Sequence, residues 1–246
     1  MELESLPEIQ PDQPVKIRRK GKLPGVSYPM VLRKRRGLEN YEIEKLLTTI
    51  RKAVATKSSK QYYTWLRDYV AILLGIEHGL RSSEASKLLI SHVWFQSDVK
   101  GTMLIEENFN KRCKEGRIPI SINLTKVLRE YVPVRLLWLP TGKLDGWLLS
   151  NKPGKRNVDT PLTSAALHYI VRYWAAHAGI EPFRFHDLRH CYGSLAMGAD
   201  NSNLKMVQDL MRHRSIQSTE IYLHPTPEQY RAVIDKAFPE AKEIEA

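Results

Sequence analysis

Apolar residues recur at helical spacing through most of the chain that follows an N-terminal segment. Four apolar residues within 43–50 form one stripe, which predicts a helix that begins at a cap near Asn40. The pattern over 61–78 is apolar on more than half of the helical circumference, so we expect this helix to be central. Similar one-sided patterns predict helices over 124–136 and 163–178.

Short apolar segments between these helices predict three strands, at 93–95, 102–106 and 117–120. A basic turn, residues 108–116, joins the second strand to the third. The apolar residues 147–149 predict one more strand, set between loops rich in glycine, proline, lysine and asparagine. Helices with a few short strands are therefore the predicted secondary structure.

Charge narrows the class of partner. Lysine and arginine number 38 against 27 aspartates and glutamates, which gives a net charge of +11 and a pI of about 9.6. This excess favours a polyanion, either DNA or an anionic membrane surface. No apolar segment approaches the roughly 18 residues of a membrane-spanning helix, and the acidic first residues do not resemble a signal peptide. Cys113 and Cys191 provide no disulfide framework, so we expect reduced thiols in a cytoplasm.

The N-terminal segment, residues 1–37, has no periodic apolar face. It contains five prolines and two basic clusters, at 16–22 and 33–36. Such a segment cannot bury enough apolar surface to offset the chain entropy that folding removes. We interpret it as an arm or linker, either contacting DNA or simply solvated, ahead of a folded domain over residues 38–246.

The densest candidate chemistry lies in residues 184–224. His186 and Arg189 are three positions apart, so a helix places them on the same face. His213 follows a second helical pattern, and Tyr222 lies nine residues further on. Arginine and histidine donors near a tyrosine hydroxyl indicate a site that holds a phosphate while the phenol oxygen attacks it.

A metal site is the competing interpretation, because His186 and His190 have the spacing that zinc-binding helices use. A hydrolytic zinc helix requires glutamate directly after the first histidine, and Asp187 stands there instead. The charge of Arg189 would also repel a cation. We therefore expect no metal, and we interpret His190 as a packed residue and Asp187 as an anchor for the loop or a neighbouring histidine.

These motifs resemble the signatures of the tyrosine recombinase (phage integrase) family. His-Asp-Leu-Arg-His at 186–190, Leu-Met-Arg-His-Arg-Ser at 210–215 and Ser-Thr-Glu-Ile-Tyr at 218–222 occur in the family's order. The family commonly has glycine before the histidine of the second motif, and this chain has Arg212. We interpret Arg212 as a candidate for an added phosphate or partner contact.

Two upstream signatures extend the resemblance. The family's Gly-Leu-Arg-x-x-Glu pattern is matched from Gly79 to Glu84. Ser82 or Ser83 is a suitable cap for a helix that runs to Leu89, which would leave Arg81 just outside the helix. Glu84 is then expected to orient Arg81 by a charge-assisted hydrogen bond.

The resemblance implies six catalytic residues: Arg81, Lys111, His186, Arg189, His213 and Tyr222. The two arginines would hold non-bridging phosphate oxygens through their planar guanidinium groups. The two histidines would supply further donors, and His186 is also the candidate general base for the phenolic proton. Neither a metal nor any other cofactor is implied.

Lys111 and Tyr222 have competitors within the chain. Lys111 precedes an Ile-Pro strand at the family's spacing and would protonate the leaving 5′ oxygen, with Lys114 as the alternative. Tyr222 would bond to the 3′ phosphate, and Tyr192 and Tyr230 are the other candidates. The positions of the family's threonine and histidine before the nucleophile favour Tyr222.

The implied fold is mainly α with a small antiparallel β-sheet, the catalytic-domain fold of tyrosine recombinases, with a C-terminal docking helix at about 227–238. Only about forty residues precede this domain, fewer than the separate clamping domain of most members needs, so the chain matches either a small form or a truncated one. The implied function is cleavage and rejoining of double-stranded DNA at a specific site. A homotetramer on DNA would act without ATP in the cytoplasm, encoded by a bacterium, a phage or a mobile element.

Two alternatives to recombination remain open at this point. A type IB-like topoisomerase would use a similar set of residues but would relax supercoils as a monomer. A non-catalytic DNA-binding derivative would usually lack at least one of the six residues, and all six are present.

Overall fold

The computed structural model describes residues 37–56, 61–109, 115–139, 145–151, 159–199 and 204–212, apart from the side chain of Asn108. In chain order these residues form α1 (Asn40–Ala55), α2 (Tyr62–Ile76), α3 (Ser82–Ala85), β1 (Trp94–Phe95), β2 (Asp98–Val99), β3 (Thr102–Ile105), β4 (Gly116–Pro119), α4 (Ile122–Leu136), α5 (Ser164–Ala178), α6 (Phe185–Gly198) and α7 (Leu204–Met211). The predicted class, mainly α with a small antiparallel sheet component, is confirmed.

Helix α2 forms the centre of the core. Its buried residues lie on all sides, because α1, α4, α5 and α6 pack around it. A helix that is apolar around its circumference is expected in such a position. A buried ion pair within this helix, Arg67 with Asp68, is completed by the Trp174 indole N–H, which donates to the Asp68 carboxylate at 3.2 Å. No helix in these described ranges has the length and apolar character needed to cross a bilayer.

Side-chain caps fix the starts of the peripheral helices. The Ser121 hydroxyl accepts from the Leu124 N–H at 3.1 Å at the start of α4, and the Thr163 hydroxyl accepts from the Ala166 N–H at 3.2 Å at the start of α5. Each such cap stabilises a helix by about 1 kcal/mol. Helix α1 begins at Asn40 itself, so the expected cap at that residue is displaced by one position.

The strands form two separate antiparallel pairs, β1 with β2 and β3 with β4. The additional strand, β2, arises because Gln96 and Ser97 both have positive φ, of 46° and 68°. Positive φ at both central positions is typical of tight hairpin turns. The chain therefore reverses directly after β1, where the hydrophobic pattern predicted a strand at 93–95 and none at 98–99.

The strand expected over 147–149 is reduced to one isolated bridge, between Trp147 and Leu89. The Trp147 N–H donates to the Asp159 carboxylate at 3.0 Å, and its carbonyl accepts from Nε of Arg135 at 3.1 Å. Arg135 and Asp159 also form a buried ion pair. Side chains thus take backbone groups that a regular strand ladder would use.

Candidate active site

A tight turn between α2 and α3 carries Arg81. Gly79 in this turn has a φ of 60°, in the left-handed region that favours glycine. The ring of Tyr192, on α6, packs where a Cβ on Gly79 would lie, so a larger residue is excluded for a second reason. Gly79 therefore allows the end of α2 to approach α6 while the chain turns towards Arg81.

Arg81 stands directly before α3 as its N-cap residue. Its peptide N–H donates to Oε2 of Glu84 at 2.9 Å, and its Nη1 donates to Oε1 of the same carboxylate at 2.8 Å. The expected contact between Arg81 and Glu84 is therefore present. The expected cap at Ser82 or Ser83 is wrong, because Arg81 holds that position, and α3 spans four residues rather than reaching Leu89.

A second arginine reaches the same carboxylate. Arg212 directly follows α7, and its Nη2 donates to Oε2 of Glu84 at 2.8 Å. Both side chains are almost entirely buried, 3% exposed for Arg212 and 0% for Glu84. The structure thus directs Arg212 into the protein, whereas the sequence interpretation assigned it to an added phosphate or partner contact.

Arg189 ties three segments of the site together. It lies on α6 and is 1% exposed. Its Nη1 donates to the carbonyl of Gly79, and its Nη2 donates to the carbonyl of Met211. One side chain therefore joins the first histidine–arginine motif to the turn that precedes Arg81 and to the segment that contains Arg212.

His186 lies in the first turn of α6 and is exposed. Partial desolvation of the ring, together with the neighbouring His190, Arg189 and Arg81, lowers the pKa of His186 to about 4, against a smaller opposite effect of Asp187. The imidazole is therefore neutral near pH 7, the state in which it can accept a proton.

The start of α6 is fixed by two polar contacts. The Arg184 N–H donates to the Asp187 carboxylate at 2.7 Å, so Asp187 anchors the preceding loop, one of the two roles expected for it. The Phe185 N–H donates to Nδ1 of His168, on α5, at 3.2 Å. His168 was missed by sequence reasoning, because no local pattern connects it to a helix that begins seventeen residues later.

His190 is buried one turn after His186, and the two rings meet edge to face with centroids 4.7 Å apart. This packing is the environment expected for His190. Within the ranges that the structure describes, no group of three or more histidine, cysteine, aspartate or glutamate side chains is arranged to hold a metal ion.

Comparison with known proteins assigns the chain to a family. The model of the phage integrase family matches residues 36–229. The chain belongs to the phage integrase family. Within it, the tyrosine recombinase XerC of Mannheimia succiniciproducens is 28% identical over 178 residues, 72% of this chain and 55% of the relative. XerC of Thermodesulfovibrio yellowstonii is 28% identical over 193 residues, 76% of this chain and 60% of the relative. The chain thus spans little more than half the length of these relatives.

Solved structures of tyrosine recombinases share the fold. The XerH site-specific recombinase, bound to its difH substrate in a pre-cleavage complex, matches with a TM-score of 0.63 and 25% identity, over 84% of this chain and 55% of that one. The XerA recombinase matches in fold, with a TM-score of 0.61 and 18% identity, over 84% of this chain and 67% of that one. The expected catalytic-domain fold of tyrosine recombinases is confirmed.

The described part of the chain contains three of the six residues that the family signatures predict, Arg81, His186 and Arg189, and brings them together. The other three and two of their competitors lie outside the described residues: Lys111, His213, Tyr222, Lys114 and Tyr230. Strands β3 and β4 pair on either side of residues 110–114. The segment that carries Lys111 therefore joins two paired strands, as predicted.

Tyr192 is the one competitor for the nucleophile that the structure describes. It packs against Gly79, and burial raises the pKa of its phenol. A phenol that gives up its proton less readily is a poorer nucleophile, so its environment disfavours Tyr192.

Proposed function

We propose that the chain is a site-specific DNA recombinase that cleaves and rejoins DNA through a covalent 3′-phosphotyrosine intermediate. The observation that carries the proposal is the position of Arg189, whose guanidinium binds the carbonyls of Gly79 and Met211. Three signature segments that lie far apart in the sequence thereby meet around Arg81. The relatives support the same conclusion, since they are recombinases and XerH was solved on its DNA substrate.

Phosphodiester cleavage requires charge neutralisation and proton transfer. Arg81, with 20% of its side chain exposed, is proposed to bind a non-bridging oxygen as negative charge builds up in the transition state. Arg189, the second arginine of the family signatures, is proposed to bind a further non-bridging oxygen and to add its positive charge to the site. A neutral His186 is proposed to accept the phenolic proton, and an incoming phosphate would raise its pKa and so favour that step.

The remaining roles follow from the family signatures. Tyr222 is proposed as the nucleophile and His213 as a phosphate donor. Lys111, or Lys114 in its place, is proposed to protonate the leaving 5′ oxygen. The phosphotyrosine bond retains the energy of the phosphodiester, and a free 5′ hydroxyl from another strand reverses the step, so the proposed reaction uses no ATP. It also uses no metal, because protein side chains are proposed to neutralise the charge on the phosphate.

We propose that a homotetramer assembles on the recombination site in the cytoplasm. The helix expected at about 227–238 lies outside the described residues and is proposed to dock on a neighbouring subunit. Residues 1–37, of which the structure describes only Gly37, are proposed as a DNA-contacting arm ahead of the catalytic domain.

Sequencing of DNA covalently trapped on the protein tests this function. The expected result is a discrete sequence joined to the protein, and no adduct with Tyr222→Phe, which should still bind DNA. An adduct that survives Tyr222→Phe and disappears with Tyr230→Phe would reassign the nucleophile. Relaxation of a supercoiled plasmid without any preferred cleavage sequence would indicate a topoisomerase instead.

A further inference from the structure

Two arginines share one buried carboxylate at the site. Oε1 of Glu84 accepts from Nη1 of Arg81 at 2.8 Å, while Oε2 accepts from Nη2 of Arg212 at 2.8 Å and from the Arg81 N–H at 2.9 Å. Glu84 contributes one negative charge and the guanidinium groups contribute two positive charges. These three side chains together therefore carry a net positive charge, and Arg81 is the more exposed arginine, at 20% against 3% for Arg212.

The backbone of Arg212 indicates that its side chain has a specific role. Its φ is 54°, in the left-handed region where a non-glycine residue is strained and where the family commonly has glycine. The guanidinium nevertheless reaches Glu84, 128 positions earlier in the chain. A charge-assisted hydrogen bond in a buried environment is a strong interaction that offsets such strain.

The aliphatic part of the same side chain meets the hairpin formed by β3 and β4. A Cβ on Gly116, the first residue of β4, would lie 3.5 Å from Cδ and 3.6 Å from Cγ of Arg212. Arg212 therefore lies between the carboxylate beside Arg81 and the end of the hairpin at which β4 begins. Its position is fixed by packing on one side and by an ion pair on the other.

We propose that Arg212 is a positioning residue that balances the charge of Glu84, so that Arg81 retains its positive charge for a DNA phosphate. Without Arg212, the buried Glu84 carboxylate and Arg81 would form a neutral pair, and an anion would be attracted less strongly. Arg212 also gives Glu84 a partner that stays in place when Arg81 turns towards an anion. This inference rests on the proposed function, in which Arg81 binds the scissile phosphate.

Binding of inorganic phosphate, followed through the NMR signals of the His186 ring, tests the proposal without requiring catalysis. His186 senses the charge of Arg81, so its signals report an anion bound beside that arginine. Arg212→Gln should weaken phosphate binding roughly tenfold, because one neighbouring positive charge is removed. Arg212→Lys should retain most of the affinity. Arg212→Gly, which relieves the left-handed backbone strain, is the second neutral variant in case the glutamine variant does not fold.

A second substitution separates charge balance from packing. Adding Glu84→Gln to Arg212→Gln should restore phosphate affinity to near the wild-type value, because the charge that Arg212 balanced is then absent. If Arg212 acted only through packing, the double variant would bind no better than the single one. Arg129→Gln is the matched control, since it removes an exposed arginine paired with Asp98, and it should leave phosphate binding unchanged.

The proposed charge balance would be overturned if the double variant, or Arg212→Lys, bound phosphate as weakly as Arg212→Gln does. It would also be overturned if Arg81→Gln bound phosphate as tightly as the wild type does. The proposed function fails separately, if the wild-type chain forms no covalent DNA adduct while the phosphate series behaves as expected. Adducts combined with a failed phosphate series would leave the recombinase assignment and remove only the role of Arg212.

Discussion

At the scale of single residues, the described part of the site depends on charged side chains that are buried away from water. Arg189, Arg212 and Glu84 are each almost wholly buried, and each charged group meets an opposite charge or backbone carbonyls. Removing one partner of a buried charged group strongly destabilises the fold, because the charge that remains is buried without compensation. These residues therefore support the fold as well as the proposed chemistry, and a variant needs a measurement that separates the two.

Acid is expected to weaken the fold through His186. Its pKa is about 4 in the folded chain, whereas an unfolded histidine has a pKa of about 6.5. Between these values the unfolded chain binds the proton and the folded chain does not, so the free energy of unfolding falls as the pH is lowered from about 6.5 towards 4. His186→Gln should make this fall shallower in urea unfolding measured at several pH values. If the His186→Gln variant showed the same pH dependence as the wild type, the lowered pKa of His186 would be contradicted.

Variants of Lys111 and Arg189 are expected to respond differently to DNA that carries sulfur in place of the 5′ bridging oxygen. Lys111→Ala should slow cleavage by about 10²–10⁴-fold, and replacement of the 5′ bridging oxygen by sulfur, which needs little protonation to leave, should restore the rate of adduct formation. Arg189→Ala should recover much less. It should also lose about 3 kcal/mol of unfolding free energy or more, because two hydrogen bonds from a charged group disappear. Rescue of Lys114→Ala in place of Lys111→Ala would transfer the acid role.

At the scale of elements, two glycines with nearly the same positive φ serve different functions. Gly79 and Gly179 have φ values of 60° and 59°, and alanine in this conformation costs about 1–2 kcal/mol. Among the described residues, a methyl group on Gly179 would meet the Lys45 amine, 3.5 Å away at the end of a long side chain, whereas one on Gly79 would meet the Tyr192 ring. Gly79→Ala should therefore lower the free energy of unfolding more than Gly179→Ala does. Equal losses in thermal or urea unfolding would contradict this reading of the turn.

Periodicity predicted the long helices and failed for the short elements. Helices α1, α2, α4 and α5 each repeat an apolar stripe over several turns, which makes their identity a local property of the sequence. Helix α3 is too short to show a period, and β2 depends on the turn conformation of Gln96 and Ser97. The strand expected at 147–149 was lost to contacts with Arg135 and Asp159, which lie outside that segment.

The site, too, could be predicted only in part, because sequence patterns report local features and not contacts between distant residues. Motif spacing indicated Arg81, His186 and Arg189 and the contact of Arg81 with Glu84, which are local or family-encoded features. The contact of Arg212 with Glu84 joins residues 128 positions apart, and no spacing rule contains it. The only signal was that arginine stands at a position where the family commonly has glycine.

At the scale of the whole molecule, the N-terminal arm, residues 1–37, is expected to supply affinity for DNA of any sequence. The clusters at 16–22 and 33–36 hold nine of the 38 lysines and arginines, and each neutralised phosphate adds about 0.9 to the log–log salt slope in duplex DNA. Removing residues 1–36 should weaken binding to all DNA sequences alike and make the slope shallower by several units. Cleavage of DNA that is already bound should change little.

Measurement of DNA affinity across a salt series, for specific and arbitrary duplexes, decides the role of this arm. An unchanged slope would show a solvated tail. Loss of preference for the specific duplex would show that the arm reads bases.

The carbonyls that Arg189 binds also determine when the site can exist. They lie 110 positions before it and 22 positions after it in the chain. During synthesis, α2 and the Gly79 turn emerge long before α6, and Met211 emerges later still. A nascent chain therefore has Arg81 exposed to solvent but lacks the arginine and the carbonyl that complete the arrangement around it. Competence to hold a phosphate arises late in folding, after the residues through Arg212 have left the ribosome, so incomplete translation products are expected to be inert towards DNA cleavage.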